Sequence, residues 1–274
     1  MTATYNQNVT IITGASSGIG EALAYELAEQ GAYLTLAARR LDQLETVAAK
    51  CRDLGGKALA VICDVSQQAD CENLIQQTVT TYGRVDTLVN NAGITMWARF
   101  ANLNDPVLLE QIMKVNFLGA MYCTYYALPL LKQSRGRIAN ISSMADKIIT
   151  PGSTGYIASK HAMEAFFESL RSEVVDDGIS ITMLYLGFVD TGFAGRMLNA
   201  EGKPSGGISQ QLQATKQMSP VDSAKLIASA TLLRKRTVYT SVSGVPGWLF
   251  PWIKLIAPTY LEQVGKRFMD VGGL

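Results

Sequence analysis

Val9-Thr10-Ile11-Ile12-Thr13-Gly14-Ala15-Ser16-Ser17-Gly18-Ile19-Gly20 is the stretch on which the fold turns. Val9–Thr13 is an unbroken β-branched run, the composition of a buried strand. It feeds directly into glycines, and a helix-period pattern over 20–30 follows, stopped by Gly31. Glycines at such a junction permit a tight turn and let backbone come close to a pyrophosphate, which then sits at the positive end of the helix. The spacing across Gly14, Gly18 and Gly20 is G-x-x-x-G-x-G. An ordinary strand-to-helix turn can carry the same glycines, so the meaning of the motif depends on its surroundings.

Working outward, apolar runs recur at 33–37, 58–62, 87–90, 137–141 and 180–184, separated by helical patterns such as 41–54. Nearly continuous apolar runs suit strands covered on both faces, and their alternation with helices predicts a parallel sheet. The expected fold is α/β: one doubly wound, Rossmann-like domain spanning 1–274, with helices on both faces. Two segments are atypical. Residues 188–219 are rich in glycine and read as a lid over substrate. Residues 242–274 form an apolar C-terminal arm.

Composition narrows the chemistry. The 274 residues carry 24 Lys+Arg against 23 Asp+Glu, a net charge of +1, with 48% hydrophobic and 17% charged residues. That balance excludes a disordered chain and lacks the basic excess of a nucleic-acid binder. Four scattered cysteines (Cys51, Cys63, Cys71, Cys123) make neither a zinc motif nor a disulfide framework, and a single histidine cannot build a multi-histidine metal site. No metal is expected. The polar start MTATYNQN has no signal-peptide pattern, so a cytoplasmic location is expected.

Further motifs follow the strands in order. After the second comes Ala37-Ala38-Arg39-Arg40, with arginines where a carboxylate would bind ribose hydroxyls; an arginine fork can hold a 2′-phosphate instead. After the third comes Asp64-Val65, in which Asp64 also reads as a helix N-cap. After the fourth comes Asn90-Asn91-Ala92-Gly93, a small-residue turn. Asn116 lies in a helical stretch over 108–131, where asparagine is a poor helix former. Ser142-Ser143 comes just after the fifth strand; Tyr156 lies thirteen positions beyond Ser143, and Lys160 stands one helical turn from it. An ammonium beside a phenol favours its ionised form and would lower the usual value of about 10.

These residues, taken together over about 8–190, resemble the short-chain dehydrogenase/reductase family, with its TGxxxGxG, NNAG, serine and YxxxK motifs. The resemblance implies a nicotinamide cofactor held by Gly14, Ser16, Ser17, Gly18, Ile19, Gly20, Arg39, Arg40, Asp64, Val65, Asn91, Ala92, Gly93, Tyr156, Lys160, Val189 and Thr191. Arg39, or alternatively Arg40, would select NADP(H) over NAD(H). It implies Tyr156 as acid/base, Ser143 holding the substrate oxygen, Lys160 on the nicotinamide ribose, and Asn116 anchoring a proton relay. Within that family the chain looks most like NADP-dependent carbonyl reductases and alcohol dehydrogenases acting on lipid-like ketones: 3-ketoacyl, 3-ketosphinganine or steroid-like. A homodimer or homotetramer through the 108–131 and 156–175 helices is implied by resemblance only. The competing class is a non-catalytic NADP-binding redox sensor, although a sensor needs no proton relay.

The pattern departs from the family in places. Leu186 replaces a proline in Leu186-Gly187-Phe188-Val189-Asp190-Thr191, leaving the path of that loop open. Asp146 stands where a glycine is usual and reads as a solvated loop carboxylate, or else a substrate contact. Ser142 rather than Ser143 reads as the serine that bonds its own backbone. His161, next to Lys160, points away from it on a helix and suits packing at a subunit interface. In the arm, residues 247–258 carry Trp248, Trp252 and Lys254 and are too short to span a bilayer. They suit either a peripheral contact with a membrane on its cytoplasmic face or packing over the substrate or a partner subunit.

Overall fold

The computed structural model describes residues 4–148, 150–205, 217–242 and 244–271, the last four of these by backbone alone. Part of the expected lid (206–216) and of the arm (243 and 272–274) therefore lies outside the described residues.

Seven parallel strands form one sheet in the order β3-β2-β1-β4-β5-β6-β7. They are β1 Val9–Thr13, β2 Tyr33–Ala38, β3 Lys57–Ile62, β4 Thr87–Asn90, β5 Arg137–Ser143, β6 Ser180–Leu186 and β7 Thr237–Tyr239. On one face, α1 (Gly18–Glu29), α2 (Leu41–Asp53) and α7 (Pro220–Leu232) bury Leu23, Leu27, Leu44, Val47 and Ile227 against Ile12, Leu34 and Leu36. On the other, α3 (Gln68–Tyr82), α5 (Gly119–Ser134) and α6 (Thr154–Glu173) bury Leu74, Cys123, Ala127 and Phe167 against Ile11, Leu88 and Ile138. Neighbours Ile11 and Ile12 thus point into opposite cores, both fully buried, which is why the strand shows no polar alternation. The fold is a single-domain doubly wound α/β sheet. Its order reverses between β1 and β4, the point at which sheets of this kind offer a crevice beyond the strand C-termini.

Three details differ from the sequence reading. α1 starts at Gly18, two residues before the periodicity shows. The stretch over 108–131 is not one regular helix: α4 (Val107–Met113) passes through a π-helical turn at Lys114–Leu118 into α5. β7 was not legible, because three half-buried residues after the basic run Arg234-Lys235-Arg236 show no pattern of their own.

Beyond β6 the chain is pinned rather than loose wherever it is described. The Met218 N–H donates to the Phe188 carbonyl (2.9 Å) and the Asp190 N–H to the Met218 carbonyl (3.0 Å). Leu198 pairs with the 95–97 segment through bonds of 2.8 and 2.9 Å, and with Ala200 it packs on Met96, Leu108 and Ile112. The arm contains α8 (Phe250–Ile256) and α9 (Pro258–Val271). Phe250 and Leu261 join the main core, whereas Trp248, Trp252, Leu255 and Ile256 are exposed. Among the described residues no helix is long and apolar enough to cross a membrane.

Candidate active site

The turn after β1 is built by close contacts to two other strand ends. A Cβ on Gly20 would stand 2.5 Å from the Gly14 carbonyl oxygen and 2.6 Å from the Asn91 side-chain nitrogen. Gly18 has φ +65°, and its added Cβ would meet that of Thr191 at 2.9 Å. Glycine is therefore required both by the left-handed backbone and by the approach of neighbours. Thr13 Oγ1 accepts the N–H groups of Asn91 (3.0 Å) and Ala92 (3.1 Å), and Asn91 Nδ2 donates back to the Thr13 carbonyl at 2.8 Å. The ends of β1, β4 and β6 are thereby drawn to one point, with Gly14, Ser16, Ser17, Gly18 and Ile19 partly exposed around it. Ser17, at the N-cap of α1, makes no side-chain capping bond, so its hydroxyl does not compete for the first-turn amides.

Arg39 and Arg40 follow β2 and are both exposed. Arg196, from the loop beyond β6, is near enough to Arg40 that this like charge, after burial, pushes the Arg196 guanidinium down. Among the described residues none of the three has a salt-bridge partner. Asp64 is not the expected helix cap: Gln67 occupies that place, and Asp64 Oδ1 accepts from the N–H (3.0 Å) and hydroxyl (2.8 Å) of Ser66. Val65 is buried against Gly119 at the start of α5.

At the other end of the crevice, three consecutive residues of β5 hold the surrounding side chains. The Ile141 carbonyl accepts from Lys160 Nζ at 2.7 Å. Ser142 Oγ donates to Asp146 Oδ2 at 3.0 Å. Ser143 Oγ accepts the Ala145 N–H at 3.1 Å, and its hydroxyl bonds the Tyr156 phenol. Tyr156 and Lys160 lie on one side of α6, the ammonium 5.7 Å from the phenol ring centroid. Asn116 sits in the π-helical turn, a distortion that often marks functional positions. Its side chain clamps Ile94 (accepting at 2.8 Å, donating at 2.9 Å) and donates to Ser159 Oγ at 2.9 Å. Ser159 in turn donates to the Tyr156 carbonyl at 2.7 Å. Gly93 closes the group: a Cβ there would stand 3.3 Å from Asn116 Oδ1 and 3.9 Å from Lys160 Nζ.

The electrostatics differ from the simple ammonium–phenol expectation. Burial pushes Tyr156 up to about 12, opposed by the Ser143 hydrogen bond and reinforced by the Asp146 charge. Burial also pushes Lys160 down to about 8, with Asp146 opposing it. Desolvation outweighs attraction for both groups, so the protein alone holds a phenol rather than a phenolate.

Several other readings are corrected. Asp146 is fully buried, not solvated, and burial raises it to about 6. Ser143, not Ser142, is the serine that bonds nearby backbone. The loop after Leu186 is set by the Gly187 N–H donating to Thr240 Oγ1 at 2.7 Å, which takes over where a proline would stiffen it. Val189 and Thr191 follow on that loop, Thr191 lying against Gly18. His161 Nδ1 lies 3.1 Å from the Ile157 carbonyl. Thr13, Ser159, Arg196 and Thr240 were not singled out from sequence, since hydroxyls and single arginines carry no spacing signal.

Comparison with known proteins agrees with this arrangement. Residues 8–202 match the family model described as short chain dehydrogenase. The chain is 39% identical over 269 residues to 11-beta-hydroxysteroid dehydrogenase-like 4A of Arabidopsis thaliana, covering 96% of this chain and 85% of that protein. It is 40% identical to 11-beta-hydroxysteroid dehydrogenase A of Sesamum indicum, covering 93% and 74% respectively. A solved alcohol dehydrogenase from the archaeon Thermococcus sibiricus, complexed with 5-hydroxy-NADP, superposes with a TM-score of 0.73 at 27% identity, covering 86% of this chain and 97% of that one. The chain belongs to the short-chain dehydrogenase family. It is a nicotinamide-dependent oxidoreductase acting on CH–OH groups, transferring hydride between the cofactor and a ketone or secondary alcohol.

Replacing Thr13 by valine keeps shape but strips two inward-facing amides of their acceptor. The variant is expected to lose about 1–3 kcal/mol in urea unfolding; unchanged stability would show that Thr13 does not tie the two strand ends together.

Proposed function

We propose that this protein reduces an apolar, lipid-like ketone with NADPH, and oxidises the corresponding alcohol in reverse. The observation that carries this reading is the convergence of Ser143, Tyr156, Lys160 and Asn116 at the end of β5, facing the glycine turn across the crevice. A nicotinamide nucleotide bound along the ends of β1, β2 and β4 would supply the hydride. Gly14, Ser16, Ser17, Gly18, Ile19 and Gly20 would hold its pyrophosphate, Asp64 and Val65 its adenine, and the backbone of Asn91, Ala92 and Gly93 would lie along it toward Lys160. Val189 and Thr191 would hold its carboxamide.

Tyr156, kept protonated by burial, gives its proton to the carbonyl oxygen, while the Ser143 hydroxyl bonds that same oxygen and stabilises its developing charge. Lys160 would position the ribose hydroxyls, and its positive charge would steady the phenolate left when Tyr156 gives up its proton. Asn116 and Ser159 hold the Tyr156 turn of α6 in place. The preference for NADP(H) is supported by Arg39 and Arg40, two arginines without salt-bridge partners among the described residues, where a 2′-phosphate would lie. The apolar substrate is supported by the names of the relatives, hydroxysteroid dehydrogenases, and by Leu198 and Ala200 of the 188–219 segment packing on Met96, Leu108 and Ile112. We place a homodimer on α5 and α6; a monomeric mass in solution would remove that assignment.

Tyr156→Phe is expected to lower kcat by roughly 10²–10⁴-fold with NADPH affinity held. Retained turnover would remove Tyr156 as proton donor, and a wild type that binds NADPH yet turns over no ketone would favour the redox-sensor reading. Arg39→Asp is expected to cut the NADPH-to-NADH efficiency ratio by about tenfold or more, and an unchanged ratio would reject the assignment.

The exposed face of the arm, with Trp248 and Trp252 57% and 59% exposed beside Leu255, Ile256 and Lys254, favours a peripheral membrane contact. Changing Trp248, Trp252 and Leu255 together to serine is expected to abolish co-sedimentation with anionic liposomes while activity on a short soluble ketone persists. Wild-type protein that stays in the supernatant would contradict the contact.

A further inference from the structure

Asp146 is fully buried in the turn that follows β5. Oδ2 accepts from Ser142, whereas Oδ1 has no hydrogen-bond partner among the described residues. The nearest cation, Lys147, stands 3.7 Å from Oδ1 but is engaged by both oxygens of Glu164, and it lies 4.3 Å over the Tyr185 ring. Two carboxylates share one ammonium, so the cluster keeps an uncompensated negative charge in a place where charge is expensive. Ile141 and Ser142 are adjacent on β5, so the ammonium of Lys160 and the carboxylate of Asp146 are both anchored, buried, at one strand end.

We propose that Asp146 is the buried counter-charge of the Lys160–Tyr156 pair, a positioning residue that keeps both groups protonated and so sets the alkaline limit of ketone reduction. This rests on the reductase reading above. The groups facing Asp146 are Lys147 on its own turn, Tyr156, Lys160, His161 and Glu164 on α6, Tyr185 on β6 and Tyr239 on β7. Burial raises the carboxyl to about 6, with Glu164 adding to the rise and Lys147, Ser142 and His161 opposing it. The negative charge is therefore present above about pH 6 and fades below it. Where present, it raises both Lys160 and Tyr156. Removing it must lower both, shifting the site toward phenolate and toward alcohol oxidation at a given pH, and must change nothing in acid.

The test is Asp146→Asn, which keeps shape and the Ser142 contact, read by lysine ¹³Cε NMR titration of the whole chain and by the pH profile of ketone reduction. The depressed lysine resonance should titrate about half a unit to one unit lower, and the alkaline limb of kcat/KM should fall by the same amount with the acid side unmoved. Asp146→Gly carries the same expectation if the asparagine variant folds poorly. Ser142→Ala, which keeps the carboxylate, should leave the lysine titration and the limb in place. An unmoved lysine in Asp146→Asn, or a matching shift in Ser142→Ala, overturns the proposal. The NMR arm needs no turnover, so a wild type that reduces no ketone sinks the reductase reading while this arm still decides the role of Asp146.

Discussion

Lys160 is a buried ammonium fixed by one backbone carbonyl, that of Ile141, and the reacting end of the crevice is arranged around that bond. Taking an ammonium out of water is costly, and its depressed pKa records the cost. The bond is held because β5 is paired on both sides up to Asn140 and with β6 through Ser143, which fixes the Ile141 carbonyl. The same rigid end presents Ser142 and Ser143, so one piece of backbone sets the positions of Lys160, Asp146 and Tyr156 together. Precision of this kind needs a strand and a long helix rather than loops.

The phosphate side follows a different logic. There, geometry comes from close approach rather than from charge pairing. Gly18 and Gly20 let Thr191 and Asn91 press against the turn, and Thr13 gathers the β4 amides. Among the described residues Arg39, Arg40 and Arg196 have no salt-bridge partner, and the charge of Arg40 bears on Arg196. The glycine turn and the Lys160–Tyr156 pair thus belong to different strand ends, β1 and β5, on opposite sides of β4.

Much of this was legible in the sequence, and the reasons are physical. Strands covered on both faces write continuous apolar runs, and the β1 glycines write the turn, so six of the seven strands and the doubly wound order followed. β7 is too short and too half-buried to leave a pattern. The helix break at Asn116 was hidden because a π-helical turn preserves the apolar spacing on either side. Asp146 misled for a related reason: a lone carboxylate after a strand has the composition of a solvated loop, and only the third dimension shows Glu164 drawing Lys147 aside. The phenol's protonation state also needed the structure, because charge pairing can be read from spacing and desolvation cannot.

The central claim is that a phenol held by the β5 end passes a proton to a carbonyl as hydride arrives. Turnover of an apolar ketone with NADPH deuterated at the transferred position, run in ordinary and heavy water, tests it most directly. The account predicts that both isotope effects appear on kcat/KM and multiply when combined. Ketone reduction with a hydride effect but no solvent effect, at any pH, would contradict it.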